Sequence, residues 1–333
     1  MSSNAVTLRD VARLAEVSEI TVSRVLRGSG PIRAATRDRV LEAVRRTGYV
    51  QNRLAGTLAS SSSNLVGVVL PSLSNNVFPE VMAGINAALV RSGYQPVVGV
   101  TDYDAKAEEH LVRSILAWKP AAMILTGLQH SRETVRLVER AGIRVIEIMD
   151  VGGRPIDVAI GLSHYAAGMA TAKHLLARGY RRFGFVGHDI KRDHRAGQRL
   201  QGLIEWLVET GMAPPRIQLS NGASSILAGR AGLQSLLANY PECEVVVFAN
   251  DDLAVGGVYH CLAAGITLRD QLGIFGFNGL DIAQALPQPL STIRSNRALI
   301  GQIAVETFLQ SSTPEPEGRV IDTGFDIIAG ETA

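Results

Sequence analysis

The sequence predicts a two-part chain: a small all-α helix-turn-helix unit, then an α/β body built as two doubly wound parallel-sheet lobes. Three observations carry this. The first fifty residues hold three short amphipathic helical patterns with caps at their ends. From Leu65 onward, apolar runs of strand length alternate with helix-length amphipathic stretches. That body of about 270 residues exceeds one comfortable sheet, so two lobes with a cleft between them are expected.

The elements follow in order. Thr7 precedes LRDVARLA with Asp10 three residues on, a capping-box start, and Leu8, Val11, Ala12 and Ala15 form one apolar stripe. A short turn, Glu16-Val17-Ser18, leads into a helix from Glu19 to Leu26 that Ser18 is placed to cap. Gly28-Ser29-Gly30-Pro31 breaks it. A third helix runs from about Ala34 to Thr47, with Val40, Leu41 and Val44 as its apolar face and Gly48 at its C-terminal cap. Two helices joined by a three-residue turn and braced by a third make a helix-turn-helix.

Next comes NRLAGTLASSSSN, residues 52–64. Its first half suits one or two helical turns, and Ser60 to Ser63 reads as a flexible joint. Alone, so short a helix is barely populated, because nucleation is costly. The expected boundaries are 1–51 for the helix-turn-helix, 52–63 for a hinge helix and linker, and 64–333 for the body.

In the body, LVGVVL (65–70), QPVVGV (95–100), AAMIL (121–125) and RVIEIM (144–149) are buried-strand runs. After Asp157 the rhythm repeats with RFGFV (182–186), EVVVFA (244–249) and LGIFGF (272–277). Ligands in such folds sit beyond the C-terminal strand ends. Polar residues stand there: Thr126, Asp150, Asn250 and Asn278, with Asp251 also able to cap the helix that begins beside it. Convergent hydrogen-bonding groups of this kind suit a polyhydroxylated ligand.

Charge separates the two parts. Residues 1–63 hold ten Arg, no Lys and five acids, leaving 23 basic and 26 acidic residues in the rest. A basic module on a mildly acidic body points to a polyanion partner for the module. No apolar run reaches the ~20 residues of a membrane span, and MSSNAVTLRD lacks the pattern of a secretory signal. Cys243 and Cys261 offer neither a disulfide framework nor metal-ligand spacing, so a cytoplasmic, reduced protein is expected. Nucleotide-cradling, zinc-protease and nucleophile-elbow motifs are missing, which argues against an enzyme. In the loop Gly187 to Arg195, His188, Asp189, Asp193 and His194 make a metal conceivable, but four such residues in a polar loop are commoner than four ligands. Lys191, Arg192 and Arg195 make an anion-facing lid an equal reading, and no cofactor is expected.

The second helix opens on SEITVSRVL. A recognition helix enters the major groove N-terminus first, so its early residues meet base edges. Thr21 and Ser23 are short donors for phosphates or bases, and Arg24 can grip guanine through two hydrogen bonds. Val22 and Val25 face inward, while Arg27, Arg33 and Arg37 can neutralise phosphates.

VTLRDVARLAEVSEITVSRVL, then GYVQNRLAGTL (48–58), LVGVVLPSLSNNVFPEV, VFANDDLAVGG (247–257) and LSTIRSN (290–296) together resemble the LacI family of transcriptional repressors along essentially the whole chain. LPSLSNNVFPEV, IEIMD and NDDLAVG look most like its gluconate-operon repressor branch. The resemblance implies a periplasmic-binding-protein-like body, with one lobe at about 64–163 and 294–322 and the other at about 164–293 and 323–333. It implies base-specifying positions at Glu19 and Ile20, DNA contacts from Thr7, and a hinge helix in which Leu58 wedges into the minor groove beside Asn52, Arg53 and Ala55.

For the effector, the resemblance places contacts at Ser72, Phe78, Asp150, Arg199, Asn250 and Asn278, with Arg297 completing the ring. Arg297 stands where the lac and purine repressors carry an aromatic residue, and Asn278 replaces an aspartate. More positive and less negative, this ring favours an anionic ligand, since Arg can hold a carboxylate bidentately. A sugar acid is therefore expected, gluconate first, with 2-ketogluconate, 6-phosphogluconate or a neutral sugar as alternatives. His164 and His174 are read as structural. The partners expected are operator DNA, a small effector and a second copy of the chain, because no leucine heptad follows the body to build a larger assembly. A solute-binding protein is the rival reading that residues 65–333 alone would fit.

Overall fold

Residues 6–50, 63–73, 75–311, 313–315 and 317–333 are described by the computed structural model, with the Arg27 side chain left aside. They divide into two units, Met1–Ser63 and Asn64–Ala333.

The first unit is made of α1 (Leu8–Leu14), α2 (Glu19–Arg27) and α3 (Ala34–Thr47). The capping box forms: the Asp10 carboxylate accepts the Thr7 N–H at 3.0 Å, and the Thr7 hydroxyl oxygen accepts the Asp10 N–H at 3.4 Å. Ser18 caps α2 by accepting the Thr21 N–H at 3.2 Å. Each such cap is worth about 1 kcal/mol. Gly28 and Gly48 end α2 and α3 in the left-handed conformation, where a side chain would be strained. Val11, Ala12, Ala15, Val22, Val25, Val40 and Ala43 form the core. The apolar face of α3 is rotated from the expected one: Ala43 is buried, whereas Leu41 is exposed.

The second unit carries two six-stranded sheets. In the first, the order is β11-β5-β4-β3-β1-β2, all parallel: β1 (Leu65–Leu70), β2 (Gln95–Val100), β3 (Ala122–Thr126), β4 (Arg144–Ile148), β5 (Val158–Gly161) and β11 (Arg319–Asp322). In the second it is β12-β10-β9-β8-β6-β7: β6 (Phe183–Gly187), β7 (Arg216–Leu219), β8 (Val245–Phe248), β9 (Gly273–Asn278), β10 (Ser291–Ser295) and β12 (Phe325–Ile328). Only β12 runs antiparallel there, along β10. Apolar runs such as LVGVVL and VVVF are buried on both faces, as covered parallel strands require. The five strands without a long apolar run, β5, β7, β10, β11 and β12, are only four or five residues long, and four of them carry a charged residue.

The helices α4 (Val77–Ser92), α5 (Ala105–Leu116), α6 (Arg132–Ala141) and α12 (Arg297–Gln310) belong to the first lobe. Those of the second are α7 (His164–Ala177), α8 (His194–Glu209), α9 (Ile226–Asn239), α10 (Asp251–Ala264) and the short α11 (Asp281–Gln284). Three helix pairs meet backbone to backbone through reciprocal glycines. A methyl on Gly84 would overlap the Ala298 carbonyl, and one on Gly301 the Val81 carbonyl, across α4 and α12. Gly168 and Gly202 play the same parts between α7 and α8, as do Gly229 and Gly256 between α9 and α10. The chain passes between sheets three times, after β5, β10 and β11. These crossings bring the C-terminal strand edges of the two lobes together. There the Asn76 amide donates to Asp252 at 3.1 Å from one lobe to the other.

Candidate functional site

On the helix-turn-helix, α2 sorts its residues by period. Val22 and Val25 lie in the core, Thr21 and Ser23 are half-buried, and Glu19, Ile20 and Arg24 are exposed. Ile20 is 66% exposed, an aliphatic side chain that nothing in its own unit covers. The Thr21 hydroxyl lies 2.9 Å from that of Ser18. Thr7 spends its hydroxyl on Asp10 at 2.7 Å, so its first task is the cap. Arg13 and Arg45 pair with Asp10 and Glu42, whereas no ion pair is found among the described residues for Arg24, Arg33 or Arg37. Asn52, Arg53, Ala55 and Leu58 lie outside the described residues, as does the side chain of Arg27.

At the facing strand edges, Asp150 and Arg199 anchor a buried polar cluster. Asp150 follows β4; its Oδ1 accepts the Gly152 N–H at 2.8 Å, while Oδ2 is buried with no hydrogen-bond partner among the described residues. Burial pushes its carboxyl up, and the Gly152 amide and Arg195 hold it back. Arg199, on α8, donates to His164 Nδ1 at 2.8 Å and to the Ala249 carbonyl at 2.7 Å. Its guanidinium stacks 3.9 Å above the Phe277 ring. Burial lowers its pKa to about 10, still well above neutrality.

Other expected residues have prior engagements. Asn250 caps α10, its side-chain oxygen accepting from Leu253 N–H at 3.0 Å and from the Ser224 hydroxyl at 3.0 Å. Asp251 is therefore not the cap. Buried below it, Asp251 accepts from Leu280 N–H and the Thr292 hydroxyl, both at 2.7 Å, which ties α10 to β10 and to the turn before α11. Thr126 donates to the Val69 carbonyl at 3.0 Å, linking β3 to β1. Ser72 accepts the Asn75 N–H at 3.3 Å. Phe78 is buried in the core, with the Arg195 guanidinium 5.8 Å from its ring.

Arg297 departs most from expectation. Its Nε and Nη2 hold both oxygens of Glu80, at 3.0 and 2.9 Å, and its Nη1 donates to the Asn278 carbonyl. The bidentate fork expected to hold a ligand carboxylate is filled by the chain's own glutamate. Arg297 thereby pins α4 and α12 of one lobe to β9 of the other.

Four residues of the cluster were not singled out for the effector. Arg195 and Asp193 flank the start of α8, 3.7 Å apart, and both are largely buried. Burial raises the Asp193 carboxyl, but His188, Arg195 and Arg199 outweigh it and hold it far below the usual range. Gln198 hydrogen-bonds Asp150, and its Oε1 is buried with no partner among the described residues. His164 is structural in that it is buried, and through its bond to Arg199 it orients that guanidinium. The one signal available was spacing: Arg195, Gln198 and Arg199 recur at helical intervals on one face. Two adjoining cavities, of about 120 and 250 Å³, open where loop 187–195 meets the loops after β1 and β2. Ser72 and Ser224 line the larger, Thr126 and Arg195 the smaller.

Comparison with known proteins agrees with this layout. Residues 7–52 match the family described as bacterial regulatory proteins, lacI family, and residues 63–325 match periplasmic binding proteins and sugar binding domain of LacI family. The chain is 36% identical over 328 residues to the HTH-type transcriptional regulator GntR of Pseudomonas aeruginosa, covering 98% of this chain and 95% of that one. A LacI-family transcriptional regulator from Silicibacter pomeroyi superimposes with a TM-score of 0.92 at 42% identity, covering 98% of this chain and 99% of that one. The fold is also that of the lac repressor dimer bound to operator, at a TM-score of 0.83 and 23% identity over 99% of both chains. With a LacI helix-turn-helix at one end and a two-lobed sugar-binding body filling the rest, the chain belongs to the LacI family of transcriptional regulators and is not an enzyme.

Proposed function

We propose that this regulator is a cytoplasmic repressor of sugar-acid catabolism: a dimer that grips a pseudo-palindromic operator and releases it when a small acid, gluconate first, binds between the lobes. The observation that carries the effector reading is a pair of orphaned acceptors, Asp150 Oδ2 and Gln198 Oε1, buried beside the cations Arg195 and Arg199. Buried acceptors without donors are costly, and hydroxyl groups of a polyol satisfy them. The arginines supply what an acid's carboxylate needs. Because Glu80 fills the fork of Arg297, Arg195 is the better receptor for that carboxylate, with Arg297 serving the ring from behind as a hinge pin.

On the DNA side, Glu19 and Ile20 set base preference, Thr21, Ser23 and Arg24 read or anchor the groove, and Thr7 and Arg27 meet phosphates. Residues 52–63 are the hinge, with Asn52, Arg53, Ala55 and Leu58 engaging the minor groove. Effector binding in the cleft biases that hinge against its DNA-bound form, a coupling of about 1–3 kcal/mol. The test is to select duplexes from a random library with the full-length protein, then measure their binding with and without gluconate, 2-ketogluconate, 6-phosphogluconate and glucose. Enrichment of a two-fold-symmetric site whose affinity drops ~10-fold with gluconate supports the reading. A site released only by glucose, or strengthened by every acid, overturns it.

A further inference from the structure

The turn between β2 and α5 is built in a way its sequence does not favour. The Asp104 N–H donates to the Thr101 carbonyl at 2.9 Å, and both central residues have positive φ, 50° at Asp102 and 60° at Tyr103. That is the geometry of a type I′ turn, whose second central position is ordinarily glycine because a Cβ is strained there. A tyrosine in glycine's place is kept at a cost, and strain of this sort gathers at ligand sites.

The side chain explains the choice. Tyr103 lines both cavities of the cleft, and among the described residues only Arg192 and Asp193, from the opposite lobe, share that position with it. Its hydroxyl is hydrogen-bonded to the Asn75 side chain, on the loop before α4. Asn75 is itself fixed, taking the Val77 N–H at 3.2 Å and giving its own N–H to Ser72 at 3.3 Å. The ring is thus held as a wall between the chamber of about 250 Å³ and the chamber of about 120 Å³.

We propose that Tyr103 is the length gauge of the effector site: it confines the ligand to the chamber that Arg195 and Thr126 line and shuts it off from the larger one, so an aldonic acid fits while the same acid extended by a second sugar is refused. This rests on the sugar-acid reading above. Glycine suits the turn, so Tyr103→Gly removes the wall without asking the backbone to change, and Tyr103→Phe keeps the wall while losing the hydroxyl.

The experiment is calorimetric titration of the full-length protein and both variants with gluconate, lactobionate (gluconate carrying a galactosyl group), glucose and lactose. The wild type should bind gluconate ~100-fold or more tightly than lactobionate; Tyr103→Gly should narrow that ratio by at least ~10-fold through a gain in lactobionate affinity, and Tyr103→Phe should keep it within ~3-fold. An unchanged ratio in Tyr103→Gly overturns the gauge, as does a wild type that binds both acids alike. If glucose is preferred to gluconate, the sugar-acid reading fails, and the same ratio taken on glucose and lactose decides the gauge. Binding of none of the four by the wild type overturns both.

Discussion

Arg199 Nη1 lies 2.8 Å from His164 Nδ1, and His164 Nε2 lies 2.7 Å from the Met149 carbonyl in the other lobe. An arginine can only donate, so Nδ1 accepts and Nε2 carries the proton that goes to Met149. Burial and the neighbouring Arg199 and Arg195 hold His164 neutral, well below its usual pKa. One imidazole thereby fixes the direction of Arg199 and ties it to the backbone beside Asp150.

Replacing His164 separates these roles. His164→Phe leaves Arg199 with one partner fewer and should cost about 3 kcal/mol of stability and at least ~10-fold in gluconate affinity. His164→Gln can accept from Arg199 and donate to Met149, so it should recover most of the stability. Chemical denaturation and calorimetry on the two variants check this.

Arg195 and Arg297 should differ in gluconate binding. Arg195→Ala is expected to lower gluconate affinity by ~10-fold or more, at a stability cost of about 2 kcal/mol because it leaves the buried Asp193 with one cation fewer. Arg297→Ala frees the half-exposed Glu80 and the Asn278 carbonyl, and should cost about 2 kcal/mol while shifting gluconate affinity by less than ~3-fold. The reverse pattern would return the carboxylate to Arg297.

A pH dependence follows from His130, buried in the first lobe with Nδ1 2.9 Å from Glu108 and Nε2 3.5 Å from Glu147. Burial alone would depress it, but the two glutamates outweigh burial and raise it to about 9. A raised histidine contributes stability that is complete below its unfolded pKa of about 6.5 and is lost as pH rises through 9. Denaturation of wild type and His130→Gln at roughly pH 6 and pH 10 should show the wild-type advantage shrinking by about 2–3 kcal/mol.

Asp251 titrates with the same sign over a more acid range. Burial raises it to about 6 despite the Leu280 and Thr292 hydrogen bonds. Its contribution is complete below about 3.8 and is lost as pH rises past 6. In Asp251→Asn the amide oxygen takes the Leu280 N–H and the amide nitrogen donates to Thr292. Stability of that variant relative to wild type should therefore rise by about 2–3 kcal/mol between pH 4 and 7.

Much of this was legible in the chain. Thr7-Asp10, Ser18 and Gly48 mark helix ends because capping chemistry is local, and all three act as read. The long apolar strands were equally plain. Short edge strands such as RIQL and FDII were not, because their pairing depends on neighbours distant in sequence. The polar residues at strand ends could be found by position, but not their bonds. Nothing local foretells that Glu80 fills the fork of Arg297, 217 residues away. Nor does spacing tell that His164, 35 residues before Arg199, sets its direction.

The most direct measurement is calorimetric titration of gluconate and of glucose into the full-length protein. The expected result is saturable gluconate binding at one site per chain, with glucose at least ~100-fold weaker, because buried arginines and orphaned acceptors await an acid with hydroxyls. Equal binding of gluconate and glucose, or no binding of gluconate, would contradict it.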